Sequence, residues 1–169
     1  HNFCPYLDPR KDIPESERFK ALGGSKNNLC AFVSSDGVRW NRLGDAPVIT
    51  DGYFDSQNLA FWDGEREEYR AYFRDFKEGR DIKTCTSPDF REWTEPEFLE
   101  YLPGRVSQLY TNQIQPYFRA PHILLGFPTR YVERQWQAAT DWAQRRLEEL
   151  ESTVLGAGMG PARAPRRCW

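Results

Sequence analysis

A chain of 169 residues, 39% hydrophobic and 28% charged, has enough material for one domain with its own core, and it reads as soluble and globular. A formal net charge of −2 argues against nucleic acid or an anionic membrane as partner. No apolar run approaches the roughly 18 residues of a membrane span; His1 stands where a Met would start a chain, no signal-peptide pattern follows it, and the sequence reads as a fragment. Compartment and oligomeric state stay open on these features.

Aromatic content is unusually high, 15% with six Trp. Four Cys (Cys4, Cys30, Cys85 and Cys168) form no C-x-x-C pair, and the chain has two His. That inventory predicts reduced, mostly buried thiols, with no metal site and no cofactor.

In chain order, the segment "HNFCPYLD" (1–8) is a predicted strand, followed by strands in "RFKAL" (18–22) and "CAFV" (30–33), then the turn "SSDGVRW" (34–40). The same succession returns as "SQNLAFWD" (56–63), "EYRAY" (68–72), "IKTCT" (82–86) and "SPDFREW" (87–93). A third pass begins with "NQIQPYF" (112–118) and "HILLG" (122–126) and then fades. Ser34 and Ser87 both open S-x-D-x-x-x-W, 53 residues apart. Ser and Asp suit such turns because their side chains bond nearby backbone N–H groups. The Trp beyond is expected to pack between sheets.

The repeated unit is therefore four short strands in roughly 50 residues, the size of a propeller blade. Its copies span about 1–48, 53–101 and 109–134. A β-sandwich with fortuitous similarity is the plain alternative. In a propeller the first strand of each blade lines a central channel. That would explain why "DSQNLAFWD" (55–63) is polar at its start and aromatic at its end. Asp55, Gln57, Asn58, Asn112, Gln113 and Gln115 would then ring one mouth. From Arg134 on the pattern changes: 135–155 reads as an amphipathic helix, with Trp136, Ala139, Ala143, Leu147, Leu150 and Val154 on one stripe. Residues 156–169, rich in Gly, Ala, Pro and Arg, read as a disordered tail.

The stretches "HNFCPYLDP", "ERFKALGG", "FDSQNLAFWD", "EYRAYFRDF", "DIKTCTSPDFREWTEP" and "LYTNQIQPYFRAPHILLGFPTRY" resemble the five-bladed propeller proteins related to family-32 and family-43 glycoside hydrolases. They are most similar to bacterial members with a family-32 N-terminal-like domain. The resemblance covers about residues 1–134. It implies an all-β fold, a partial five-bladed propeller of about two and a half blades of four-stranded antiparallel sheets, followed by the C-terminal helix. It also implies carbohydrate as partner and hydrolysis of glycosidic bonds as the reaction of the full-length protein. Related enzymes place three carboxylates at the channel mouth, each from a different blade. Asp55 stands where such acids stand. Arg74-Asp75 echoes the Arg-Asp of the family-32 transition-state motif, although it follows the second strand of its blade. The Asn-Asp-Pro and Glu-Cys motifs are absent.

Glycoside hydrolysis needs two facing carboxyls, one protonated and one ionised. Asp55 is the better catalytic candidate and Asp75 the second. Arg74 and Arg130 could bind hydroxyls or orient a carboxylate; for Arg74 and Asp75 a strand-end ion pair is the plain alternative. The amides of Gln57, Asn58, Asn112, Gln113 and Gln115 offer donor and acceptor together to a hydroxyl-rich ligand, or could simply bond one another. Trp62, Tyr72, Tyr110 and Tyr117 could stack on sugars or pack between blades. Two other functions stand beside the hydrolase: a non-catalytic carbohydrate- or protein-binding propeller, and a sialidase-like propeller, for which "SSDGVRW" is one residue short of the Asp-box turn.

Overall fold

Twelve short strands and one long helix make up the computed structural model, which describes residues 2–104, 107–133 and 136–156. Strands β1 (Asn2–Leu7), β2 (Phe19–Ser25), β3 (Asn28–Ser34) and β4 (Asn41–Arg42) form one antiparallel sheet in sequential order. Strands β5 (Leu59–Asp63), β6 (Glu68–Phe76), β7 (Arg80–Ser87) and β8 (Glu97–Phe98) form a second in the same order. The third unit is smaller. β10 (Ile114–Tyr117) pairs with β11 (Ala120–Gly126), and β9 (Gln108–Leu109) with β12 (Arg130–Tyr131). The repeat seen in the sequence is thus a repeat of structure. In register, Pro5 opposes Ala21 and Ala60 opposes Ala71, the same offsets that align the two segments in sequence.

The second sheet is covered on both faces. Tyr69, Ala71 and Phe73 join Leu22, Leu29, Ala31 and Phe54 in one core against the first sheet. Tyr72, Phe61 and Ile82 form another with Leu99, just after β8, and with Leu109, Ile114 and Leu124 of the third unit. Successive strand residues point to opposite faces, so a strand buried on both sides must be apolar without a break. That is why "AYF" (71–73) shows no alternation. The all-β expectation holds for this part of the chain; no closed barrel or propeller is formed by the described residues. The third unit is incomplete, in keeping with a repeat that fades after its second strand. After β11 the chain turns to β12, which pairs with β9, so β11 has no third strand beside it among the described residues.

Both S-x-D turns form as the residue types demand. Ser34 Oγ accepts the N–H groups of Asp36 and Gly37, and Asp36 Oδ1 accepts those of Val38 and Arg39. Ser87 and Asp89 repeat the set on Phe90, Arg91 and Glu92. The fourth residue is left-handed in each, Gly37 at φ 73° and Phe90 at φ 67°. For Phe90 that conformation costs about 1–3 kcal/mol. Burial of its ring against Tyr6, Tyr69 and Trp93 returns a similar amount, about 1.5–3 kcal/mol. Trp93 packs against the core between the sheets, as expected; Trp40 instead stands edge-on to Phe3 of β1 at 4.9 Å.

These turns carry a pH dependence. Backbone N–H bonds hold the Asp36 carboxyl below its ordinary range. At Asp89 partial burial opposes the effect, and the bonds from Glu92 and Arg91 outweigh it. A carboxyl whose pKa is lower in the folded than in the unfolded chain stabilises the fold above the unfolded pKa, and that stabilisation is lost as pH falls through the folded value. Asp89→Asn should therefore destabilise the protein by about 1 kcal/mol at pH 7. The gap from the unaltered protein should close as denaturation is followed from pH 5 towards pH 2.

Among the described cysteines, Cys4 and Cys30 are half-buried and Cys85 is buried, and all three are free. Burial pushes the Cys85 thiol up to about 12. The chain divides into two units, His1–Tyr131 and Val132–Trp169. The second contains α1 (Trp136–Gly156), where the helical period predicts it. Leu147 and Leu150, on the predicted stripe, are exposed, as is Trp142. An Arg146–Glu149 pair at 2.7 Å spans one turn. No described helix is long and apolar enough to cross a membrane. His1 and most of the predicted tail, 157–169, lie outside the described residues.

Candidate functional site

The polar segment 55–58 does not open a strand: β5 begins at Leu59. The reason lies in its side chains, which bond to backbone and hold a loop. Asn58 Nδ2 donates to Phe54 O at 3.1 Å, and Ser56 Oγ donates to Tyr110 O at 2.9 Å. The matching segment before β10 is knitted to it. Asn112 Nδ2 donates to Gln57 O and Tyr72 O at 3.2 and 3.1 Å, and the Gln113 N–H, on a left-handed residue, donates to Gln57 Oε1 at 3.3 Å. Two of the repeated loops therefore meet at one end of the sheets, where β6 also ends.

At that end Arg74 Nη2 donates to Asp55 Oδ1. The arginine side chain is almost wholly buried and the aspartate is 46% exposed. The guanidinium is packed among Tyr110, Phe76 and Tyr53, whose ring centres lie 4.7, 5.2 and 5.4 Å away. Arg80 continues the cluster, 5.5 Å from Phe76 and 3.6 Å from Tyr131, which in turn stacks on Tyr110. A buried cation boxed by aromatics thus presents one half-exposed carboxylate to solvent.

The expected Arg74–Asp75 pair is not formed. Neighbours on a strand face opposite ways, so Arg74 reaches Asp55 while Asp75 Oδ2 meets Lys83 Nζ at 2.9 Å. Lys83 also binds Asp51 at 2.7 Å. Burial works against the Lys83 ammonium, but its bonds to the two aspartates outweigh this and raise its pKa above the ordinary lysine value.

The remaining candidates divide. Asn58 and Asn112 are buried, their amide nitrogens engaged with backbone and their Oδ1 atoms without a partner. Asn112 lines a cavity of about 310 Å³ between the second sheet and the β10–β11 hairpin, together with Tyr72, Leu109 and Leu124; Asp55 does not line it. Gln113 is exposed. Gln115, also exposed, lines a separate groove of about 270 Å³ between β1, β5 and β10. Arg130 is exposed on β12, opposite Leu109. Of the predicted stacking residues, Tyr72 is buried and Trp62 packs edge-on against Tyr69 at 4.9 Å. Sequence reasoning did not single out Tyr53, Phe76, Arg80 or Tyr131. The clustering of Tyr53, Phe76 and Tyr131 just outside predicted strand ends was the available signal.

Among the described residues no group of three or more His, Cys, Asp or Glu side chains is arranged to hold a metal ion. Comparison of the chain with family models, with curated proteins and with solved structures gave no match.

Proposed function

We propose that this chain is part of a propeller-type protein of the glycoside hydrolase class, binding carbohydrate beside Asp55. The observation that carries the proposal is a half-exposed carboxylate fixed by a buried arginine, at the end of the sheets where two repeated polar loops meet. The two cores support the propeller reading, since like antiparallel units stack face to face in series and β5 lies against both β1 and β10. Asp55 serves as the nucleophile, base or orienting carboxylate. Arg74 fixes that carboxylate in one place, as each of these roles requires. Asp75, the second candidate, bonds Lys83 and not the Arg74 that holds Asp55, so no shared partner brings the two candidate carboxyls together. That favours, as second reading, a non-catalytic module that binds sugar at the same place.

A panel of aryl glycosides and plant oligosaccharides separates the two. Turnover that disappears in Asp55→Asn, with the melting temperature unchanged, supports the hydrolase. Saturable sugar binding with no turnover supports the module. Neither binding nor turnover across the panel overturns both.

A further inference from the structure

We propose that the long groove beside β7 and β8 binds the continuation of a neutral glycan, so that the ligand of the Asp55 site is an oligosaccharide and not a single sugar; this rests on the carbohydrate reading above. The groove has a volume of about 1230 Å³. Pockets for one small molecule hold about 300–1,000 Å³. One wall is the β6–β7 turn and β7, with Lys77, Arg80 and Lys83; the other is β8 and the loop after it, with Phe98 and Tyr101.

A continuous set of contacts joins it to Asp55. Arg74 binds Asp55 and packs on Phe76, which is 45% exposed and directly precedes Lys77 at the groove's edge. Lys83, bonded to Asp75, lies 4.9 Å from the centre of the Phe98 ring inside the groove. Further along, Tyr101 is 37% exposed, and its O–H donates to Asp81 Oδ1 at 2.9 Å. That bond holds the ring in one orientation.

This surface has the two chemistries a sugar chain needs. Pyranose and furanose rings carry apolar C–H faces, which stack on aromatic rings, and hydroxyl edges, which bond to charged and amide groups. Among the described residues three cationic and four acidic side chains line the groove, so these offer no net attraction for a polyanion. A neutral glycan fits that balance and an acidic one does not.

The test is calorimetric titration of the full chain with neutral cello-, xylo-, arabino- and inulo-oligosaccharides, from monosaccharide to tetrasaccharide. In the series that binds, affinity should rise about tenfold or more with length. Tyr101→Ala should remove that gain and leave monosaccharide affinity unchanged, whereas Tyr101→Phe, which keeps the ring but loses its bond to Asp81, should keep part of it. Hydrogen exchange in 96–104 gives a second measure on the unaltered protein: it should slow with tetrasaccharide and not with monosaccharide. Monosaccharide binding with no gain in length, or a gain that survives Tyr101→Ala with no change in exchange, overturns the groove alone. No sugar binding at any length overturns the carbohydrate reading and the groove with it.

Discussion

Asp8→Ala is expected to destabilise the protein by about 3–5 kcal/mol, the cost of removing one partner from a buried charge pair. Asp8 follows β1, and its side chain is fully buried, as is that of Lys20 on β2. Its Oδ2 faces Lys20 Nζ at 3.2 Å and accepts the hydroxyl of Tyr69 from the second sheet at 2.6 Å. Its Oδ1 accepts the Arg10 N–H at 3.1 Å. Arg10 in turn donates to the Tyr69 hydroxyl and lies over the rings of Trp62 and Tyr69. One carboxylate thus joins two sheets at the end remote from Asp55. Without it the Lys20 ammonium keeps Glu17, through a backbone bond at 2.7 Å and a carboxylate at 3.7 Å, but loses its nearest counter-ion. The measurement is urea denaturation. The double variant Asp8→Leu with Lys20→Met should recover much of the loss, because neither charge is then left alone in the core. A double variant no better than the worse single one would show that Asp8 acts by its size and packing and not by its charge.

That cluster was not legible in the sequence, and the reason is general. Asp8 and Tyr69 are 61 residues apart, and no local pattern marks them as neighbours. What could be read was whatever is periodic. The S-x-D turns, the strand order within the first two units and the offset between them all rest on local hydrogen bonding and on alternation, and all appear in the fold. The helix near the C-terminus was legible for the same reason. Strand ends were less so. Asp55–Asn58 resembled the start of a strand because apolar residues follow, yet Ser56 and Asn58 bond to carbonyls and hold the segment as a loop. Side-chain partners were least legible. The adjacency of Arg74 and Asp75 suggested a pair that the pleat of a strand prevents, and the true partner lies 19 residues back. Asp55 could be singled out as a candidate, but not the aromatic box that fixes its arginine.

Arg74→Met should separate the role of that arginine in holding the fold from its role in positioning Asp55. Methionine is unbranched and polarizable, and it can fill the space between Tyr53, Phe76 and Tyr110 left by the guanidinium stem. Asp55, half exposed, is then solvated by water and is not stranded, so the ion pair itself contributes little to stability. The melting temperature should shift by only a few degrees, corresponding to about 1 kcal/mol. Function should respond far more. An unrestrained carboxylate samples several rotamers, and a misplacement of about 1 Å at the reacting centre costs on the order of 100-fold. On the hydrolase reading kcat should fall by that factor while KM changes little, because the sugar keeps its other contacts. Arg74→Lys, which restores a cation without the planar fork, should recover part of the loss. Asp75→Asn serves as the contrast, since its partner is Lys83 and not Arg74. Equal losses of kcat in Arg74→Met and Asp75→Asn would mean that both ion pairs only hold the strand end, and would remove the positioning role assigned to Arg74.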